Sequence, residues 1–461
     1  MEKTGTDKFV RMTTEPVERL ICKMAAPTIV TMLISSIYNM ADTYFIGQIK
    51  IDATASTGAV GVVFSFMAII QAIGFFFGHG SGNYISRQLG DGKREDAVIM
   101  ASTAFFSSLA AGIVLAAAGL IFCAPLAAAL GSTESILPYA VSYLRYILIG
   151  TPFIMGSFVI NNQLRFQGSA FYGMIGMTSG GILNVILDPI FIFGLDMGVA
   201  GAGCATMISQ MVSFVILCFM CGRGENIRIS PRSFKPTLQR YYEIVRGGFP
   251  SLARQGLSSV ATIMLNFLAS GWGDAAIAAM SIVSRITMFA ASALIGFGQG
   301  FQPVCGWNYG ARLYERVRRA FWFSVKVTAI FLLAAAAVGF IFSPSIIALF
   351  RRDDAEVIRI GTFALRAQCV TIPLSSFIVM ANMYLQTIGK AIPATAVAMS
   401  RQFIFFVPAL LIMTPVFGLA GIQLAQPVSD ICSMILAVPV TLRVLSAMKN
   451  ADEAQTAENI R

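Results

Sequence analysis

Charge is what this sequence has least of. Only 12% of its 461 residues are Asp, Glu, Lys or Arg, roughly half the share found in an ordinary soluble domain. Hydrophobic residues make up 56%, and the mean hydropathy is +0.73. A soluble protein of this length exposes more polar surface than so few charges can cover. That excludes a cytosolic enzyme, a secreted disulfide scaffold and a disordered chain. Histidine is nearly missing: His79 is the only one, so no histidine-based triad assembles at an obvious site. The sequence contains no G-x-x-x-x-G-K-[ST] loop, no H-E-x-x-H and no G-x-S-x-G. This argues against ATP-driven transport by the chain itself and against the common hydrolase chemistries. Of the eight cysteines, Cys123, Cys204, Cys305 and Cys432 lie in apolar runs, as small membrane residues do. Cys218 and Cys221 form a C-x-x-C, but no second Cys/His pair stands at metal-ligand spacing. No enzyme activity, bound metal or organic cofactor is expected.

What is present is a succession of long apolar runs. They fall near 24–46, 56–84, 97–124, 136–160, 171–194 and 199–221, then near 243–270, 275–303, 317–342, 356–386, 392–414 and 418–446. Each suffices for a spanning helix of about 20 residues, and twelve of them use up the chain. The fold class is all-α polytopic membrane protein. The first run holds Asp42, exceeds a signal h-region and lacks a small-residue cleavage pattern, so it reads as a retained span. The expected divisions are an N-terminal tail 1–23, a first lobe 24–221, a linker 222–242, a second lobe 243–446 and a C-terminal tail 447–461.

The net charge of +10 invites a nucleic-acid reading, but position decides against it. Twenty-three lysines and arginines fall in the two termini and in the loops after even-numbered spans. They include Lys8, Arg11, Lys93, Arg94, Arg165, Arg312 and Lys390. The opposite side has Lys50, Arg351 and Arg352. By the positive-inside rule, both termini and the even loops are cytoplasmic. The location is a plasma membrane, in a bacterium the inner one, and the large-scale partner is lipid.

The halves of the chain resemble each other. Leu144-Arg145 with Pro152, and Gly168 with Ala170, recur 221 residues later as Leu365-Arg366, Pro373, Gly389 and Ala391. Gly78, Gly80, Gly90, Glu95 and Gly198-Val-Ala-Gly201 recur at 220 as Gly298, Gly300, Gly310, Glu315 and Gly418-Leu-Ala-Gly421. The constancy of the offset is the specific signal. An even number of spans per half keeps both halves in one orientation, related by an axis along the membrane normal. That is a recurring plan of secondary transporters, with substrate between the halves.

Carboxylates at membrane depth are expensive and normally have a task. Thr28, Thr31, Ser35, Tyr38 and Asp42 recur at spacings of 3 and 4, one polar face of the first span. In the fifth span Asn184 and Asp188 are i,i+4 neighbours. Pro189 follows, removing a backbone donor and kinking the helix. Thr206, Gln210 and Ser213 form a polar face on the sixth span. The competing readings are helix-end capping or snorkelling for Asp42 and a satisfied structural kink for Asp188. The second-half counterparts are Leu265 and Pro408, so ionic coupling is expected in the first half alone. Arg254, Arg285, Arg366, Arg401 and Asp430 are expected to make ion pairs and interhelix hydrogen bonds. His79, between two glycines, is expected to pack. Gln255, Ser259, Thr262 and Asn266 repeat a polar face on the seventh span, and Gln299 and Gln302 are expected to line a second-half cavity.

Several segments together carry a family resemblance. They are Asn39-x-x-Asp42 followed by Phe45-Ile-Gly47, Asn184-x-x-x-Asp188-Pro189, and Gly198-Val-Ala-Gly201-Ala. Gln299-Gly300-Phe-Gln302-Pro303 and Asn308-Tyr309-Gly310-Ala311 follow in the second half. In this order, over about residues 15–447, the chain resembles the multidrug and toxic compound extrusion (MATE) family, and most of all its prokaryotic multidrug branches. The resemblance implies two six-helix lobes in a V and a cation-coupled exporter. It implies a coupling site at Asp42, Asn184, Asp188 and Thr206, with sodium or a proton as the only cofactor. The implied substrates are bulky, amphipathic, often cationic drugs or toxic metabolites. Residues on the acid-bearing faces supply pocket candidates: Met32, Ser35, Tyr38, Asn161, Met177 and Gln210. Pro27 and Pro189 are the expected kinks. The chain is expected to work as a monomer. The alternative function is a lipid or lipid-linked-oligosaccharide flippase of related architecture, which would favour a basic, lipid-accessible cleft over paired acids.

Overall fold

The computed structural model describes residues 3–49, 53–350 and 354–460. Lys50, Arg351 and Arg352 lie outside them, as does the side chain of Asn39. Among the described residues the chain is helical, without strands. A polar helix, α1 (Lys3–Thr14), comes first. The first six runs then become α2 (Val17–Gly47), α3 (Ala53–Gly90), α4 (Arg94–Ile121), a short α5 (Cys123–Ala129), α6 (Leu137–Phe166), α7 (Ala170–Pro189) and α8 (Gly198–Cys221). The second six become α9 (Leu238–Ser270), α10 (Asp274–Gly310), α11 (Tyr314–Ile341), a short α12 (Ser343–Phe350), α13 (Ala355–Thr371), α14 (Leu374–Thr387), α15 (Ala391–Met399), α16 (Phe406–Phe417) and α17 (Leu419–Ile460). Every expected run is thus helical, though 356–386 is broken between α13 and α14 and the runs 171–194 and 392–414 contain π segments, and the chain is an all-α polytopic membrane protein.

Ten of these stretches are long and apolar enough to cross a membrane, and the pair α13–α14, bent by 56°, makes an eleventh. The twelfth expected span, α9, has the length but not the apolarity. Its middle carries Arg254, Gln255, Ser258, Ser259, Thr262 and Asn266, side chains that need a cavity rather than lipid. The short helices α5 and α12 were hidden in the sequence by unbroken apolarity. Pro125 and Pro344 stand in their first turns, where a missing N–H costs nothing.

The repeat extends to the backbone. α3 and α10 end at Gly90 and Gly310, α4 and α11 end at Ile121 and Ile341, each pair 220 residues apart. Left-handed φ values recur in register: Gly168 (+79°) with Gly389 (+81°), and Gly198 (+55°) with Gly418 (+61°). The turn after α3 uses Gly92 at +76°, and the matching turn after α10 uses Arg312 at +59°. A side chain there costs roughly 1 kcal/mol that glycine avoids.

The chain divides into two compact units. The first is 1–12 with 26–252, the second 13–25 with 253–461. The polar segment 222–242 lies inside the first unit, so the chain changes unit within α9. The first turns of α2 likewise belong to the second unit. In the first unit, the core gathers around α6, whose Tyr143, Leu144, Ile147, Leu148 and Met155 are fully buried. The start of α9 packs on α3 at Gly80, where the Ile244 carbonyl occupies the space a Cβ would need. Asn83 donates to the Gly247 carbonyl at 3.5 Å, and Arg87 pairs with Glu243 at 3.2 Å. In the second unit the start of α2 packs the same way on Gly300, through Ala25. Arg316 donates to the Glu15 carbonyl at 2.6 Å, and Arg319 pairs with Glu18 at 2.5 Å.

Two basic residues assigned to cytoplasmic segments are engaged in packing. Arg165 belongs to α6, which runs past its apolar stretch because its last polar side chains are buried. Arg165 donates to Asn162 Oδ1 at 2.6 Å and lies 3.0 Å from His79 Nε2. His79 stacks on Phe75 with ring centroids 5.1 Å apart, a packing role as expected. Lys8 docks α1 on the first unit, donating to Ser169 Oγ at 2.8 Å and Asn226 Oδ1 at 3.2 Å. Burial pushes its ammonium down to about 8; Glu225 opposes this, while Arg11 and Arg94 add to it. Unfolded, Lys8 titrates near its ordinary 10.5. Between the two values the unfolded chain binds more proton, so stability rises as pH climbs from about 8 towards 10.5, and that gain is lost as pH falls back from 10.5 to about 8. Wild type should therefore gain in Tm relative to Lys8→Met between pH 7 and 10. A Tm difference that stays flat over that range would refute the shift.

Candidate functional site

The two intramembrane acids lie in the first unit, on α2 and α7. Asp188 is fully buried. Its i,i+4 neighbour Asn184 donates Nδ2 to Asp188 Oδ1 at 3.2 Å, and the same Nδ2 lies 3.3 Å from Thr206 Oγ1 on α8. One amide thus bridges α7 to α8. Pro189 closes α7, and the chain runs on as a π-turn over Ile190–Gly194. Leu195 N donates to the Ile190 carbonyl at 2.9 Å. Such turns loosen the helical ladder and recur at functional sites. Asp42 lies late in α2, and its Oδ2 accepts from the Tyr143 hydroxyl of α6 at 3.4 Å.

The electrostatics are unusual for buried acids. Among the described residues neither Asp42 nor Asp188 has a lysine, arginine or histidine partner. Asp42 Oδ1, Asp188 Oδ2 and Asn184 Oδ1 are buried without a hydrogen-bond partner. A buried ionised carboxylate without compensation costs several kcal/mol. This cluster therefore favours a bound positive charge, whether a proton or a small cation. Three acceptor oxygens fit either.

The other sequence candidates have more varied surroundings. Met32, Ser35, Tyr38, Asn161, Met177 and Gln210 are half-buried. Tyr38 lies against Gly181 of α7, and Asn161 Oδ1 against Gly173. Met177 packs on an apolar cluster with Phe105, Val159 and Leu217 and so belongs to the core. Ser213 donates to the Gly176 carbonyl at 3.0 Å, a helix-packing bond. α2 continues helically through Pro27, whose carbonyl accepts from Thr31 Oγ1 at 2.9 Å.

Sequence reasoning missed Tyr143. The signal for it was the repeat. Its counterpart 221 residues later is Ala364, so the hydroxyl is confined to the acid-bearing half, as Asp42 and Asp188 are.

The second unit holds a cavity of about 350 Å³ between α9, α10, α13–α14, the π segment Ser400–Ile404 and α17. Arg401 pairs with Asp430 at 2.7 Å in its lining. Arg366 donates to Ser343 Oγ at 2.9 Å and stands 5.4 Å from the Phe340 ring centroid. These match the expected pairing roles. Arg285 is exposed. Gln299 and Gln302 correct the expectation for them: both are buried, and neither lines the cavity. Two arginines expected to pair do not among the described residues: the exposed Arg285, and Arg254, which is not exposed. Arg254 lines the cavity, and its Nη1 is buried without a partner.

Comparison with known proteins gives a consistent picture. The MatE family model matches residues 27–190 and 250–412. The chain is 27% identical over 438 residues to Multidrug export protein MepA of Staphylococcus saprophyticus subsp. saprophyticus, covering 94% of this chain and 95% of the other. Against MepA of Staphylococcus aureus it is 29% identical over 412 residues, covering 88% and 89%. A crystal structure of MATE in complex with MaL6 matches with a TM-score of 0.90 at 26% identity, covering 96% and 99%.

Proposed function

The chain belongs to the MatE family, and from that premise we propose that it exports amphipathic, often cationic compounds by antiport with sodium or protons. One observation carries the coupling reading. Asp42 and Asp188 are membrane-depth acids with orphaned, buried oxygens and no cationic partner among the described residues.

Coupling needs a site whose charge differs between two conformations, and an ion that binds one of them better. With both carboxylates ionised, the cluster is a costly concentration of negative charge in a low-dielectric setting. A proton, or a sodium ion on the three free oxygens, removes that cost. The Tyr143 hydroxyl and the Asn184 amide hold the acids in the charged state and are partly released when a cation takes over. The π-turn after Pro189 adjoins Asp188, where the backbone ladder changes at least cost. Occupancy at the acids then biases the helices that bear them, and an amphipathic cation on the same faces competes for the same negative charge. The loop charge bias supports cytoplasmic termini and even loops, with export directed to the other side.

Reconstituted protein in proteoliposomes tests this reading. Ethidium movement should follow an imposed sodium gradient at equal pH, or an imposed pH gradient without sodium. Whichever gradient drives it names the coupling ion. Movement indifferent to both gradients sinks the antiport mechanism.

A further inference from the structure

The two units carry their unpartnered charges at different places in the repeat, an acid in the first and a base in the second. At the offset of 223 that relates α2 to α9, Asp42 corresponds to Leu265, and Leu265 lines the second-unit cavity. Thr31, whose hydroxyl is spent on its own helix, corresponds to Arg254. So the acid is removed from the second unit's wall, and a base is added to it.

Arg254 is not accounted for by packing. Among the described residues it makes no hydrogen bond and no ion pair, and its Nη1 is buried. The one carboxylate on the same wall is already committed. Asp430 Oδ1 accepts from Arg401 Nε at 2.7 Å and from Gln426 at 2.9 Å, and its Oδ2 accepts from Thr371 at 3.4 Å. The wall therefore carries one guanidinium in excess. Around it stand amide and hydroxyl groups, among them Gln255, Ser258 and Ser284, and an apolar face that includes Met288, Ile372 and Phe406. A volume of about 350 Å³ falls at the small end of ordinary ligand pockets. A guanidinium's fork of donors matches a planar or tetrahedral oxyanion.

We propose that the second-unit cavity is a binding site for amphipathic acids, with Arg254 holding the carboxylate, sulfonate or phosphate of a molecule whose apolar body lies against Met288, Ile372 and Phe406. The proposal goes beyond cation antiport: this site recognises anionic or zwitterionic cargo, and it does so in the unit that lacks the coupling acids. Binding here is an equilibrium property and needs no gradient, so it stands or falls separately from the coupling mechanism.

The test uses the purified full-length protein in phosphatidylcholine nanodiscs. The probes are 1-pyrenebutyrate and its neutral amide, which have the same size and differ in charge. Pyrene fluorescence reads both Kd values. The acid should bind at least about tenfold more tightly than the amide, a difference of about 1.4 kcal/mol. Arg254→Gln should erase that preference, weakening the acid by at least about tenfold more than the amide, and Arg254→Lys should keep part of it. Ser284→Trp, which fills the cavity and leaves the guanidinium in place, should abolish binding of both probes; it also serves should Arg254→Gln fail to fold. Equal Kd values in wild type overturn the proposal, as does a preference that survives Arg254→Gln or Ser284→Trp. Replacing phosphatidylcholine with phosphatidylglycerol separates the two sources of an oxyanion. An unchanged Kd supports a dissolved acid, and loss of probe binding overturns that in favour of a lipid phosphate.

Discussion

Asp188→Asn should abolish drug resistance in a drug-sensitive host while leaving the protein as stable as wild type or more so. The reason lies in what the substitution keeps and removes. An asparagine retains an oxygen in the place of Asp188 Oδ1, which accepts the Asn184 amide at 3.2 Å. The α7–α8 bridge through Asn184 and Thr206 survives. What disappears is the ability to gain and lose a positive charge at a buried position with no basic partner among the described residues. Removing an uncompensated buried charge relieves a desolvation cost. Removing the ion-binding step ends the bias that a coupling ion exerts on the conformational equilibrium. Ethidium efflux should fall by at least about tenfold, equivalent to about 1.4 kcal/mol of lost coupling. Efflux in cells, membrane abundance by immunoblot and Tm in detergent together decide the matter. Full resistance at normal abundance would leave Asp188 a structural kink residue. A large fall in Tm would make it a packing residue. Stability and activity moving in opposite directions is the signature of a charge kept for function.

How far the sequence foretold this depends on which physical signal each residue leaves. Apolar runs and loop charge are one-dimensional signals, so the helices cover their expected runs, although α2 begins at Val17 rather than near 24 and α17 runs on to Ile460 rather than ending near 446. The repeat was equally legible, because left-handed turns demand particular residues; Gly168 and Gly389 advertise theirs. Arg312 shows the limit, since it adopts glycine's conformation with no sign of it in its own identity. Asn184 and Asp188 were legible as a pair because four residues on a helix is a fixed distance. Tyr143 was not, because its meeting with Asp42 spans 101 positions and depends on how α6 packs. Arg254 escaped for the opposite reason. In a sequence, an intramembrane arginine looks paired whenever an acid is available, and Asp430 was available. Only the geometry assigns that acid to Arg401 and leaves Arg254 alone.

That assignment makes Asp430 the residue whose loss should cost the second unit most. Its carboxylate joins α13, the π segment after α15, and α17 through Thr371, Arg401 and Gln426. Asp430→Ala leaves the Arg401 guanidinium without its counter-ion and places two uncompensated cations on one cavity wall. Breaking a buried pair from one side costs about 3–5 kcal/mol. The Arg401 side chain is 20% exposed and so turns partly towards water, which puts the expected loss near the lower end of that range. Read as an apparent Tm, about 3 kcal/mol corresponds to a fall of roughly 6–12 °C for a unit of this size. The double variant Arg401→Met with Asp430→Leu should recover most of the loss, because a buried pair exchanged for apolar groups of similar volume is close to neutral. A double variant as unstable as the single one would mean that the carboxylate matters through Thr371 and Gln426 rather than through the ion pair. Arg254 supplies an independent control. With the pair removed from both sides the wall still carries its single excess guanidinium, so the double variant should still prefer pyrenebutyrate to its amide. Were the preference to vanish with the pair, Arg401 rather than Arg254 would be the group that holds the acid.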